Sequence, residues 1–140
     1  MVQLFFYQPE DILEFIESVN HPFFGLHLDQ MNLINHKYFY NTKELIIKTF
    51  KLLKDYIVSV HLKDISWDYE HMFLKWDEVN IGDGVMDYET YLKNLAQLHI
   101  DTPCYCEHWI EEKEYALNFS RLHYLAKKAG VEFMRRKNIE

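Results

Sequence analysis

The chain has 140 residues, of which 49% are hydrophobic and 26% charged, a balance that suits one ordinary domain with a core. A formal net charge of −7 and a pI near 5.6 argue against binding to a phosphate backbone, so no nucleic-acid partner is expected. The opening MVQLFFYQPE carries neither a basic leader nor a long apolar core, so no membrane partner is expected either.

In chain order, segment 2–7 (VQLFFY) reads as a strand remnant or as the loop entering the first helix. From Pro9, the residues Ile12, Leu13, Phe15, Ile16 and Val19 form an apolar stripe, with Glu10, Asp11, Glu14 and Glu17 largely opposite and Pro9 suited to a first helical turn. Asn20, His21 and Pro22 stop this helix, and Phe23 to Asp29 is the first predicted strand. A loop containing Asn32 leads to Asn41, which caps a helix with Glu44 three residues on and a buried face of Leu45, Ile46, Thr49, Phe50 and Leu53. Tyr56 to His61 is the second strand.

Residues 65–84 make the longest connection, rich in Trp, Asp, Glu and Tyr, and are expected to fold as a rim loop over a pocket. Its closing Gly82-Asp83-Gly84 lacks the lysine of a phosphate loop and is expected to make a tight turn. Asp87 caps the next helix, with Tyr88, Tyr91, Leu92, Leu95 and Leu98 at helical spacing. Pro103 opens a third strand, Cys104 to Glu107, on which Cys104 and Cys106 share one face. Two thiols so placed do not bridge neighbouring strands, so both are expected to be buried and reduced, in a cytoplasmic setting. The last helix runs from about Glu111 to Ala129 and is closed by Gly130, and Arg135, Arg136 and Lys137 read as a solvated end.

Helices alternating with strands across long connections predict a parallel sheet. Each strand closes on polar residues, GLHLD at 25–29, SVHLKD at 59–64 and CYCEH at 104–108. A barrel rim collects such residues from successive strands, whereas an open sheet concentrates them at one switch point. The expected fold is therefore α/β, a C-terminal partial (β/α)8 TIM barrel with about three parallel strands and flanking helices, since a whole barrel needs about 250 residues. No room exists for another strand-plus-helix unit before Pro9, so the first half of the barrel is expected to lie outside this chain or to have been lost.

Asp29, His61 and Glu107 are the candidate shared site. A charged residue closing an apolar strand is paired, metal-bound or capping loop amides, and Asp29 fits either of the last two. His61 offers one ring nitrogen to a metal while the other finds an acceptor. Glu107 is a candidate ligand and also the candidate acid/base group, with a salt bridge to Lys63 as the alternative. Two carboxylates and an imidazole suit Mn or Mg, with Zn as a further choice, rather than a thiolate site.

Lys63 and Asp64 orient substrate, pin the loop or form plain rim ion pairs, and Asn32 donates an amide to substrate or caps its loop. Trp109 is a candidate aromatic wall, with Trp67 and Trp76 weaker ones. His27 reads as a hydrogen-bonded core histidine or as a donor to the metal-holding groups, and His108 as pointing away from Glu107 if the strand persists.

The runs GLHLDQMN, VHLKD, IGDGVMDY and CEH together resemble the last part of the xylose-isomerase-like barrel superfamily of sugar-phosphate isomerases and epimerases. In relatives of the ketose 3-epimerase type, a divalent metal is held by two glutamates, an aspartate and a histidine from separate strands. The resemblance implies Asp29 as that aspartate, His61 as that histidine and Glu107 as the final glutamate, with the other glutamate falling upstream of Met1. The related base-excision endonucleases carry a richer set of zinc ligands. Asn32 stands where they would place a histidine, and VNIGDG lacks their aspartate-x-histidine pair.

The resemblance thus implies a metal-dependent isomerase or epimerase acting on a sugar or sugar phosphate through an enediolate, inactive as this stretch alone. The alternatives are a catalytically silent half-barrel and a metal- or sugar-binding module. Pairing with the missing half, or self-association through open sheet edges, is expected.

Overall fold

A computed structural model of the chain describes residues 6–68, 70 and 75–134. The reading of segment 2–7 falls largely outside these residues, and that of the basic end at 135–137 entirely so.

The helical stripes fold as their spacing dictates. Helix α1 (Pro9–Val19) starts on Pro9, buries Ile12 and Ile16, and ends at Asn20, whose left-handed backbone (φ 42°) lets its N–H donate to the Ile16 carbonyl. Helix α2 (Thr42–Leu53) is capped by Asn41, which accepts from the Glu44 N–H at 3.3 Å and donates to Glu44 Oε2 at 2.8 Å. Helix α3 (Tyr88–Leu95) is capped by Asp87, which accepts from the Thr90 N–H at 2.9 Å. Helix α4 (Glu112–Ala129) opens on a reciprocal cap between Glu111 and Glu114 and closes at Gly130, with φ 72°.

Strands β1 (Leu26–Asp29), β2 (Ile57–His61) and β5 (Cys104–Tyr105) form one parallel sheet in the order β1-β2-β5. The register sets Asp29 beside His61 and His61 beside Tyr105. Parallel pairing carries all three chain exits to one edge of the sheet. Three parallel strands and four helices make part of an α/β barrel, with no closed barrel among the described residues.

Both outer strands are shorter than their patterns predict. Residues 21–24 turn, the Phe24 N–H donating to the His21 carbonyl, so β1 begins at Leu26 and Phe23 stands 93% exposed. At the other edge the pairing stops at Tyr105, and His108 adopts a left-handed backbone, φ 71°.

The connection at 65–84 differs more. It holds an antiparallel hairpin of β3 (Asp64–Trp67) and β4 (Trp76–Val79), a second sheet in which Trp67 faces Trp76. Both indoles pack on Phe39, with ring centroids 5.1 and 4.8 Å away, so these tryptophans build the hairpin's support.

The core lies between one face of the parallel sheet and the helices. Leu28, Val60 and Leu62 come from the strands, Leu45, Ile46 and Leu53 from α2, Tyr91 and Leu92 from α3, and Leu122 and Ala126 from α4. Each large apolar side chain so buried stabilises the fold by roughly 1.5–3 kcal/mol relative to exposure. On the opposite face His27 and Tyr105 are exposed. Among the described residues, no helix is long and apolar enough to cross a membrane.

Candidate metal centre

Strand alternation puts Asp29 and His61 on the face away from the helices. There the parallel register and the exit of β5 bring Asp29, His61 and Glu107 together, each offering one ligand atom and all three within 4.8 Å of one another. His61 Nδ1 lies 3.2 Å from Asp29 Oδ2 and 3.0 Å from Glu107 Oε1. The second carboxylate oxygen of Asp29, Oδ1, is buried without a hydrogen-bond partner. A buried carboxylate oxygen left unpaired costs free energy, and a cation would relieve it. The donor set of two carboxylates and one imidazole fits a hard or borderline divalent ion.

Lys63 stands inside this cluster. Its side chain is 3% exposed, and its ammonium is 2.8 Å from Asp29 Oδ2 and also paired with Glu107 Oε1. The expected pairing of Glu107 with Lys63 is therefore present, together with a second partner, Asp29, that the sequence did not indicate. Burial works to lower the Lys63 pKa, but its hydrogen bonds to the two carboxylates outweigh this and leave it above the ordinary lysine range. Partial burial works to raise the Glu107 pKa, yet the hydrogen bond and charge of Lys63 hold it below the ordinary glutamate range.

The backbone under these side chains is held from α3. Tyr91 donates its hydroxyl to the His61 carbonyl at 3.0 Å and Tyr88 to the Lys63 carbonyl at 2.8 Å. Their apolar bodies accounted for the helical stripe in the sequence, and the hydroxyls have this separate use.

Asp64 plays no part in the cluster. It is fully buried on the helix side, where Oδ1 accepts from the Ile65 and Met86 N–H groups and Oδ2 from those of Gly82 and Gly84, at 2.9–3.1 Å. Of the readings of Asp64 this is the one in which it pins the loop: it anchors the 82–86 turn and is neither a rim ion pair nor a substrate contact. A Cβ on Gly84 would collide with the Asp64 carboxylate and the Ile65 carbonyl, and Gly82 has φ 86°, so both glycines serve the turn.

Two histidines depart from their sequence readings. His108 turns toward the cluster, with Nε2 3.3 Å from Glu107 Oε1 and Nδ1 2.8 Å from Glu78 Oε2 of β4. Alternation would have pointed it away, but the strand has ended at Tyr105 and His108 has a left-handed backbone. His27 is exposed rather than in the core; its Nδ1 lies 2.5 Å from Ser59 Oγ and its ring meets His61 edge-on at 4.1 Å. Desolvation, and then the neighbouring His61, hold its pKa below the usual histidine range.

Asn32 is exposed on a short 3-10 turn, Met31–Leu33, just beyond β1, and Trp109 is half-buried two residues past Glu107. Cys104 and Cys106 are free thiols, half-buried rather than fully so, and desolvation pushes the Cys106 pKa up to about 11. Glu78, which nothing in its local sequence marks, meets His108 because the hairpin folds back.

Over residues 2–136 the chain matches the family model described as a xylose isomerase-like TIM barrel. The chain belongs to this family. Among solved structures it resembles a xylose isomerase domain protein from Planctomyces limnophilus, with 29% identity and a TM-score of 0.63 over 88% of this chain and 45% of that one. It also resembles a xylose isomerase-like TIM barrel protein from Mycobacterium smegmatis solved in complex with magnesium, with 21% identity and a TM-score of 0.58 over 87% of this chain and 39% of that one. The chain thus spans less than half the length of either structure. No curated protein of known function matches it. Membership of the xylose isomerase-like family accounts for the parallel strands alternating with helices.

Proposed function

We propose that the protein contributes a divalent-metal site to sugar isomerase or epimerase chemistry, with Asp29, His61 and Glu107 as ligands and Mn or Mg as the ion. The observation that carries this reading is the convergence of Asp29 Oδ2, His61 Nδ1 and Glu107 Oε1 beside the unpaired Asp29 Oδ1. The magnesium in the Mycobacterium smegmatis relative supports the choice of a hard ion. A bound ion would supply positive charge to the oxygens of a sugar enediolate, which lowers the cost of removing the carbon-bound proton. Glu107 takes that proton on its carboxylate and returns it to the adjacent carbon, an isomerisation, whereas epimerisation at the same carbon would need a second acid on the opposite face of the enediolate. Asn32 and Trp109 are proposed substrate contacts, and a reducing cytoplasmic setting suits the two free thiols.

Calorimetry with MnCl2 tests the ligand set. Asp29→Ala and His61→Ala are expected to lose Mn affinity, and unchanged affinity in both returns these residues to a structural role. Glu107→Gln is expected to abolish exchange of the sugar carbon-bound proton with solvent in a panel of ketoses and aldoses, and retained exchange excludes Glu107 as acid/base.

A second reading is supported by the span of the chain, 45% and 39% of its structural relatives, and by the edges of the three-stranded sheet, which are open among the described residues. Under it, the 140 residues bind metal or sugar without turnover, and catalysis waits for the other half of the barrel or a second copy. Light scattering coupled to metal analysis separates the two. A Mn-loaded oligomer with exchange activity favours the first, and a Mn-loaded species without it favours the second.

A further inference from the structure

We propose that Lys63 is a tethered cation holding the ion position between Asp29 and Glu107, so that a divalent metal binds by displacing its ammonium. This rests on the metal reading above and adds a competitor built into the chain.

The argument is geometric. The ammonium engages the same two oxygens, Asp29 Oδ2 and Glu107 Oε1, toward which His61 Nδ1 is directed. Both carboxylates belong to the ligand set, whose ligand atoms lie within 4.8 Å of one another. A divalent ion ligated by them would lie about 2.0–2.6 Å from each. It would then sit in van der Waals conflict and charge repulsion with an ammonium hydrogen-bonded to the same pair.

Charge balance points the same way. Two carboxylates and one ammonium leave a single negative charge on the cluster. A divalent ion in place of the ammonium brings the cluster to neutrality, while ion and ammonium together would leave it positive in a half-buried setting. Lys63 is also positioned to exchange. Its backbone is fixed by Tyr88 through the carbonyl, so the ammonium leaves by rotation of a flexible stem without moving the strand.

Metal binding to this cluster is thus a swap of one cation for another. In the metal-free protein Lys63 neutralises part of the carboxylate repulsion and holds the ligands near one another. Its cost is a lower apparent metal affinity.

The test is Mn titration of the wild-type protein and of Lys63→Met, which keeps the stem and removes the charge, with Lys63→Arg as the charged control. Lys63→Met is expected to bind Mn at least tenfold more tightly, and Lys63→Arg no more tightly than wild type. Metal-free Lys63→Met is expected to melt below wild type, with the gap closing at saturating Mn.

A second measurement, on the wild-type protein alone, is amine acylation mapped by mass spectrometry. Lys63 is expected to be protected without metal and to become more reactive with Mn. If wild type binds Mn but Lys63→Met binds no more tightly, or if Mn leaves Lys63 reactivity unchanged, the tethered-cation role is wrong while the metal site stands. If neither protein binds Mn, the metal reading itself fails and the inference falls with it.

Discussion

Replacing Asp64 tests whether the strand-end turn is organised by one buried carboxylate. Its two oxygens take four backbone N–H groups, those of Ile65, Gly82, Gly84 and Met86. A hydrogen bond to a charged group is worth about 1.5–3 kcal/mol, and a buried donor left unpaired costs about 1–3 kcal/mol. Gly82 is exposed and Gly84 half-buried, so water recovers part of their loss, whereas Met86 is buried and recovers little. Against this stands the cost of desolvating the carboxylate, visible in an Asp64 pKa that burial pushes up despite the four donors. The net loss for Asp64→Ala is then about 3–5 kcal/mol, a large part of the 5–15 kcal/mol that holds a typical domain together.

Asp64→Asn is the sharper variant. It keeps the size but turns one acceptor oxygen into an NH2 group, which must face two backbone N–H donors whichever way the amide is flipped. The expected loss is about 2–4 kcal/mol. Urea unfolding followed by tryptophan fluorescence and by circular dichroism gives both values, since Trp67 lies on the strand that Asp64 begins. A stability for Asp64→Asn within about 0.5 kcal/mol of wild type would refute the account, because it would mean that the four donors find other partners.

Gly84→Ala forces a methyl group against the Asp64 carboxylate and the Ile65 carbonyl and is expected to cost about 1–3 kcal/mol in the same assay. Asn118, fully buried, accepts from the Ile81 N–H and donates to Asn80 Oδ1 and the Glu114 carbonyl, so Asn118→Ala is expected to lose about 2 kcal/mol or more, checked by thermal melting. Tyr88→Phe and Tyr91→Phe each remove one bond to a strand-end carbonyl and should lose about 0.5–1.5 kcal/mol apiece. The backbone N–H groups of Glu111 and Ile110 hold the Glu114 pKa below the ordinary glutamate range. Its contribution to stability is therefore present above about pH 4.3 and lost as pH falls through the lower folded value. Glu114→Gln should be less stable than wild type at pH 6, with the deficit shrinking as the pH falls below about 4.3; a deficit that does not change with pH would remove this cause.

The helices were legible because their signals are local. Asn41 with Glu44, Asp87, and Gly130 mark ends that need only neighbouring residues, and the apolar spacing between them carries the rest. The parallel sheet followed from the alternation of elements, and Asp29, His61 and Glu107 stood out as polar groups closing apolar strands. The hairpin was hidden because its Trp, Asp and Glu content reads equally well as a polar loop, and its pairing depends on Phe39 from a distant segment. Glu78 and His108 were missed for the same reason: one is brought by the hairpin, the other by a single left-handed residue, and neither event has a periodicity.

The run Val60-His61-Leu62-Lys63-Asp64 shows how much one strand end carries when alternate residues serve opposite faces. Val60 and Leu62 are buried in the core, while His61 and Lys63 meet Asp29 and Glu107 on the other side. Asp64 returns to the core side, where a charge would be forbidden without the Ile65 N–H and the three N–H groups that the Gly82–Met86 turn delivers. The same turn leads into α3, whose Tyr88 and Tyr91 hold the carbonyls of Lys63 and His61. The core-facing residues thus set the backbone position from which the site-facing pair reaches the carboxylates. A loss of Asp64 should therefore weaken metal binding as well as folding, without Asp64 touching the ion, whereas a loss of Lys63 should weaken the metal-free fold and strengthen metal binding.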